Sequence, residues 1–156
     1  MRFVDDSWQS QMHPVQESIS SFTSGGKAIT VDCYFPAEVG VFPAVIALHG
    51  SGGNHASMSD PACALATQGF AVFVVHYFDR TGTTDANDKQ TIFRNFPAWG
   101  KTVWDAVSHV AEHPQVDANR IALLGFSLGA YLALSVASVD SRVKAVVEFF
   151  GGLPEK

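Results

Sequence analysis

IALLGFSLGAYLAL, residues 121–134, reads as a strand, a tight turn and a helix in immediate succession. Arg120–Leu124 is a short strand, apolar almost throughout, and Leu128–Ala137 is an apolar helix. Between them stands Gly125-Phe126-Ser127-Leu128-Gly129, a G-x-S-x-G sequence. In a chain with 13 Gly, that pattern alone arises by chance roughly once in ten such sequences, so its setting carries the weight. A turn this tight forces its central residue into a strained conformation and leaves the side chain standing clear. Glycine on both sides lets strand and helix approach without a Cβ clash. Ser127 then sits at a helix N-terminus, where backbone amides favour the negative charge that develops in acyl transfer. The plainer reading is a Gly-rich turn whose serine merely caps the helix.

The chain on either side is punctuated in the same way. Residues 1–14 form a polar lead-in closed by Pro14. Val15–Thr23 and Ala28–Phe35 alternate apolar with polar around Ser24-Gly25-Gly26-Lys27, which predicts an antiparallel hairpin at a sheet edge. The pattern then changes to the apolar runs Phe42–Leu48 and Phe70–Phe78, with Val143–Phe149 as a last strand. Ser59-Asp60-Pro61 predicts a capped helix start, with Gly69 ending that helix just after Gln68. A second helix is expected from Thr91 or Ala98 to Glu112, burying Val103, Val107 and Val110 and stopping before Pro114. Strands apolar on both faces and separated by helices argue a mostly parallel sheet covered on each side, a three-layer α/β/α sandwich. Residues 15–156 are expected to make one domain.

Composition narrows the classes. Hydrophobic residues are 47% and charged residues 16%, against about 25% charged in typical domains, which excludes disorder and charge-rich tails. Ten basic residues against 15 acidic ones, none clustered, leave no footprint for nucleic acid. No apolar run approaches the roughly 20 residues of a membrane span. The start, Met1-Arg2-Phe3-Val4-Asp5-Asp6, does not read as a secretory signal, so a cytoplasmic location is expected. Cys33 and Cys63 lack zinc spacing.

In sheets of this kind, chemistry gathers at the carboxyl ends of the strands. Those ends are His49–Gly53, His76–Arg80, Gly125–Gly129 and Glu148–Gly152. The small residues of His49-Gly50-Ser51-Gly52-Gly53 leave amides free to point into a cavity. With the N–H of Leu128, either the Ser51 N–H, the first choice, or the Gly50 N–H completes an oxyanion hole. A phosphate-cradling dinucleotide loop is the competing reading; G-x-G-x-x-G requires glycine at position 55, where His55 stands. Asp79 could still contact a ribose in such a fold.

LHGSGGN (Leu48–Asn54), HYFDRTGT (His76–Thr83), VDANRIALLGFSLGAYLAL (Val116–Leu134) and VKAVVEFFGG (Val143–Gly152) together resemble the dienelactone hydrolase-like branch of the α/β-hydrolase superfamily. The resemblance runs from about Val15 to Gly152. It implies hydrolysis of a small ester or lactone through an acyl-enzyme at Ser127, where the best-known members carry Cys. It also implies a carboxylate-binding role for Arg80; from the residues alone Arg80 reads equally as a solvated loop arginine. No metal or organic cofactor is implied, since acyl transfer needs none.

The family pattern continues with two further strands that bring an acid and then a histidine, in the order nucleophile, acid, histidine. Here no histidine follows Ser127: all 6 lie upstream, at 13, 49, 55, 76, 109 and 113. His49 and His76 stand at strand ends as candidate substrate contacts or bases. His55 is near enough to serve, though nothing in the sequence places its ring. Glu148 is the one carboxylate at a suitable strand end, and it reads equally well as a solvent-facing edge residue. The expectation is a hydrolase domain truncated after its sixth strand, weak or inactive alone, with Val143–Phe149 a free edge open to self-association or a partner chain. The alternatives are a non-catalytic remnant or binding module and, further off, a nucleotide-binding domain.

Overall fold

The computed structural model describes residues 13–152. Six strands form one sheet: β1 (Val15–Ser24), β2 (Lys27–Pro36), β3 (Phe42–Leu48), β4 (Ala71–Val75), β5 (Val116–Phe126) and β6 (Val143–Phe149). Their spatial order is β1-β2-β4-β3-β5-β6. The hairpin β1–β2 is antiparallel and lies at one edge, as its alternating pattern predicts, and β2 joins β4 antiparallel with Val31 opposite Val75. The remaining ladders, β4–β3, β3–β5 and β5–β6, are parallel. Of the polar lead-in, only His13 and Pro14 fall within the described residues; the His13 N–H donates to Thr67 O and Pro14 O accepts from Ala37 N–H.

Three helices complete the layers: α1 (Ser59–Thr67), α2 (Lys89–Ala111) and α3 (Leu128–Ala137). The two-residue period of the strands divides the core between two faces. On β3, Ile46 and Leu48 pack with Trp99, Val103 and Val107 of α2 and with Leu132 and Val136 of α3. Val45 and Ala47 face the other way, onto Ala62 and Ala66 of α1. The result is the expected three-layer α/β/α sandwich of α/β-hydrolase type.

Several boundaries differ from the sequence reading, each for an identifiable reason. The apolar run Phe70–Phe78 does not stay a strand: β4 stops at Val75, and Tyr77–Arg80 wind into a 3-10 turn. That turn buries Tyr77 and Phe78, and the Asp79 carboxylate accepts the Thr30 N–H at 2.9 Å. Strand β5 extends both ways beyond Arg120–Leu124, because Val116 finds a ladder partner in Phe42 and Phe126 one in Phe149. Helix α1 begins after Met58 with no side-chain cap, Ser59 Oγ donating instead to Ala56 O. Helix α2 starts earlier than expected, at Lys89, because Asp88 Oδ1 accepts the Thr91 N–H at 2.7 Å. It then runs unbroken through Pro97. The missing Pro97 N–H would orphan the carbonyl of Phe93, a residue that is exposed and open to water.

Among the described residues, no strand pairs with the outer edge of β6. Val147 and Phe149 of β6 are about half exposed, at 50% and 44%. With Val45, Leu65, Phe70 and Phe126 they line an apolar groove on the α1 side. No helix of the described residues is long and apolar enough to cross a membrane.

Candidate active site

The G-x-S-x-G turn is built as its residue types require. Ser127 joins β5 to α3 with φ 50° and ψ −113°, a conformation that costs a non-glycine residue about 1–3 kcal/mol. A Cβ on Gly125 would lie 2.4 Å from Gly129 O, and a Cβ on Gly129 would lie 2.3 Å from Leu48 O and 2.6 Å from His49 O. Neither position has room for a side chain. The Ser127 N–H donates to Phe149 O at 2.8 Å, tying the turn to the end of β6, while its carbonyl accepts from Ala130 and Tyr131. Ser127 Oγ does not cap the helix it precedes. The plain capping role is therefore absent, and the hydroxyl stands exposed at the start of α3. Leu128 opens the helix, so its N–H has no intrahelical acceptor.

The loop after β3 comes against this serine. A Cβ on Gly50 would sit 3.6 Å from Ser127 Cβ, so backbone rather than side chain faces the hydroxyl. The loop is pinned from behind. Gly53 has φ 68° with Thr84 O in the space of its missing Cβ, and Ser51 O accepts the Ala86 N–H at 2.9 Å. Among the described residues, neither the Gly50 nor the Ser51 N–H donates to a loop or turn acceptor. His49 is buried to 1% exposure and stacks on Tyr77 with ring centroids 4.2 Å apart. Its Nδ1 is 2.8 Å from Gly50 O, and Tyr77 OH donates to its carbonyl at 2.7 Å. Burial pushes its pKa down to about 4, so the ring is neutral near pH 7. These contacts are those of a loop anchor.

The other candidates separate. His76 follows β4 and His55 follows the His49–Gly53 loop, and they stack on one another with centroids 3.6 Å apart. His76 Nε2 is 2.7 Å from Asp32 Oδ2 on β2. Burial and the neighbouring His76 lower the His55 pKa. The sheet order places β3 between β4 and the serine-bearing β5. His109 stacks on Phe22 and His113 packs on Phe35, both in packing roles. The Arg80 guanidinium occupies the space above Gly25 in the hairpin turn, where a Cβ would fall 0.9 Å from Nη1. Glu148 lies opposite Gly125 in the β5–β6 ladder, and its carboxylate accepts the Gly151 N–H at 2.9 Å. Among the described residues no imidazole hydrogen-bonds to Ser127 Oγ. Sequence reasoning passed over Asp32. On an alternating edge strand an aspartate reads as a solvated residue, and only the long-range pairing of Asp32 with Val74 brings it beside His76.

Comparison with known proteins agrees with this geometry. The dienelactone hydrolase family matches residues 29–156. Human acyl-coenzyme A thioesterase 6 is 35% identical over 115 residues, covering 73% of this chain and 25% of that protein. Human acyl-coenzyme A thioesterase 1 is 29% identical over 125 residues, covering 77% and 26%. This chain thus spans about a quarter of the length of those curated relatives. Among solved structures, a dienelactone hydrolase-like promiscuous phosphotriesterase from metagenomic libraries superimposes with a TM-score of 0.75 at 24% identity, covering 91% of this chain and 62% of that one. A hyperthermophilic esterase from Pyrobaculum calidifontis gives 0.69 at 25% identity, covering 90% and 45%.

Proposed function

The chain belongs to the dienelactone hydrolase family, and from that premise we propose that Ser127 is the nucleophile of an acyl-transfer hydrolase acting on small carboxylic esters, lactones or acyl thioesters. The observation that carries the reading is the strained, uncapped serine held between two glycines that admit no Cβ. In the reaction Ser127 Oγ bonds to the substrate carbonyl carbon while its proton passes to a base. The tetrahedral oxyanion is held by the N–H of Leu128 with that of Ser51 or Gly50, each such donor contributing about 3–4 kcal/mol in a working enzyme. Collapse expels an alcohol or thiol, and water then releases the acid. Thioesters join the substrate class because the acyl-coenzyme A thioesterases are relatives.

One observation favours a second reading, binding without turnover: among the described residues the hydroxyl has no imidazole at hydrogen-bond distance. A serine without its base is a weak nucleophile near neutral pH. Loss of base and acid costs about 10⁴–10⁶ in kcat and leaves about 10³–10⁴ over water from the oxyanion hole and binding. Slow turnover is expected of this chain alone.

The test pairs the parent chain with Ser127→Ala on a short p-nitrophenyl ester and its thioester analogue, with fluorophosphonate labelling read by intact mass. A single adduct on the parent and none on the variant, with any hydrolysis above the residual rate shared by both chains confined to the parent, is the expected result. Equal background rates and no adduct in either would leave the binding reading.

A further inference from the structure

Asp32, His55 and His76 come from three separated stretches of chain and meet outside the serine turn. Each offers one ligand atom, and those atoms all lie within 4.8 Å of one another. Asp32 Oδ2 is 2.7 Å from His76 Nε2 and 3.7 Å from His55 Nδ1. Four-coordinate ligands around Zn²⁺ at about 2.0–2.1 Å stand about 3.3 Å apart, so the two distances to Asp32 bracket that spacing and side-chain adjustment within the cluster would bring the three atoms onto one ion. An ion pair with Asp32 accounts for His76, and stacking on His76 accounts for the packing of the His55 ring, but His55 Nδ1 is left buried and without a hydrogen-bond partner. A buried imidazole nitrogen without a partner is costly, and here it looks onto a carboxylate oxygen. The cluster is partly open to solvent, with side-chain exposures of 23% for Asp32, 42% for His55 and 13% for His76. No arginine or lysine among the described residues pairs with Asp32.

We infer that Asp32, His55 and His76 form a binding site for a divalent transition-metal ion of the Zn²⁺ class. Two imidazoles and one carboxylate suit such an ion better than Ca²⁺ or Mg²⁺, which take oxygen ligands. Three protein ligands leave a fourth position for water or an incoming group. Bound there, the ion joins β2 and the end of β4 to the segment that directly follows the oxyanion loop. The site is separate from the acyl-transfer reading and stands or falls without it.

The experiment titrates the whole chain with ZnCl₂ by calorimetry beside Asp32→Asn, His55→Gln and His76→Gln. Loss of a supporting partner already costs metal sites about 10–100-fold in affinity, so removing a ligand should weaken binding by about a hundredfold or more. His13→Gln is the control, since His13 pairs with Glu38 elsewhere, and should bind as the parent does. Because a variant can misfold, ¹⁵N shifts of the imidazole nitrogens in the parent chain give an independent readout. Zn²⁺ should move His55 Nδ1 and His76 Nε2, and Co²⁺ should give a spectrum without a thiolate charge-transfer band. No binding at one equivalent, affinity unchanged in all three variants, or shifts at other histidines would each overturn the proposal.

Discussion

At Ser127 the backbone carries strain that the surrounding turn maintains. Its φ of 50° is unfavourable for serine and alanine and free for glycine. Ser127→Gly should therefore stabilise the chain by about 1 kcal/mol, while Ser127→Ala leaves stability near that of the parent. Urea midpoints of the three proteins check the order, and Gly no more stable than Ala would refute it. Gly129→Ala should do the opposite. Its Cβ would strike the Leu48 and His49 carbonyls, and backbone cannot swing aside as a long side chain does. A loss of several kcal/mol, seen in the same urea series, is expected from overpacking at so close a contact. His49 adds a dependence on pH. Its folded pKa is lowered from 6.5 to about 4, so below pH 6.5 the unfolded chain takes up a proton that the folded chain refuses. Stability present above pH 6.5 then falls as pH drops toward 4, by up to about 3 kcal/mol at about 1.4 kcal/mol per unit. His55, His109 and His113, also lowered by burial, act in the same direction. Unfolding free energies at pH 7 and pH 5 in the parent and in His49→Asn should show a shallower slope in the variant.

Among the elements, α2 shows how packing overrides a local signal. Pro97 argues for a break, yet the helix continues because Trp99, Val103, Ala106, Val107 and Val110 are all buried along one face. Trp99 anchors it. The ring is fully buried against Tyr77 and Phe78, and its Nε1–H donates to Thr81 Oγ1 at 2.9 Å. The far side of the same helix is tied to the hairpin by Ser24 Oγ, which donates to Asp105 Oδ2 at 2.8 Å. Trp99→Phe should cost about 1 kcal/mol for the lost bond plus part of the ring's packing, and Trp99→Ala about 3–5 kcal/mol. Thermal unfolding of both would expose an error in this ranking. Since Tyr77 also supports the His49 carbonyl, loosening Trp99 should reach the His49–Gly53 loop through one intervening ring.

For the molecule as a whole, the consequential surface is the outer edge of β6. Among the described residues no strand pairs with this edge, and with half-exposed Val147 and Phe149 beside it, it invites pairing with another chain. Concentration-dependent association of this chain is expected in sedimentation velocity, and Val147→Lys should shift the distribution toward monomer. A parent chain that is monomeric at every concentration would remove the edge from consideration. Across the other end of the sheet, the hairpin, His76 at the end of β4 and His55 after the His49–Gly53 loop converge on Asp32, a meeting with no counterpart in any single stretch of sequence.

Local sequence determined the layers and the strand-to-helix turn at Ser127. Unbroken apolar runs require burial on both faces, and Gly125 and Gly129 flank a serine between an apolar strand and an apolar helix, a setting that calls for a tight strand-to-helix turn. Those are short-range constraints, written within a few residues of where they act. The strand boundaries, the company of each histidine and the place of Asp32 were decided by tertiary structure. Phe70–Phe78 is one apolar run in sequence, and it divides into strand and turn because Asp79 finds the Thr30 N–H. His49 and His76 look equivalent as strand-end histidines. Stacking on Tyr77 makes the first a buried neutral anchor, while the pairing of β2 with β4 gives the second a carboxylate partner. Side-chain chemistry is carried by the residue, but its pKa and its partners depend on contacts between segments far apart in the chain, and those exist only once the sheet has formed.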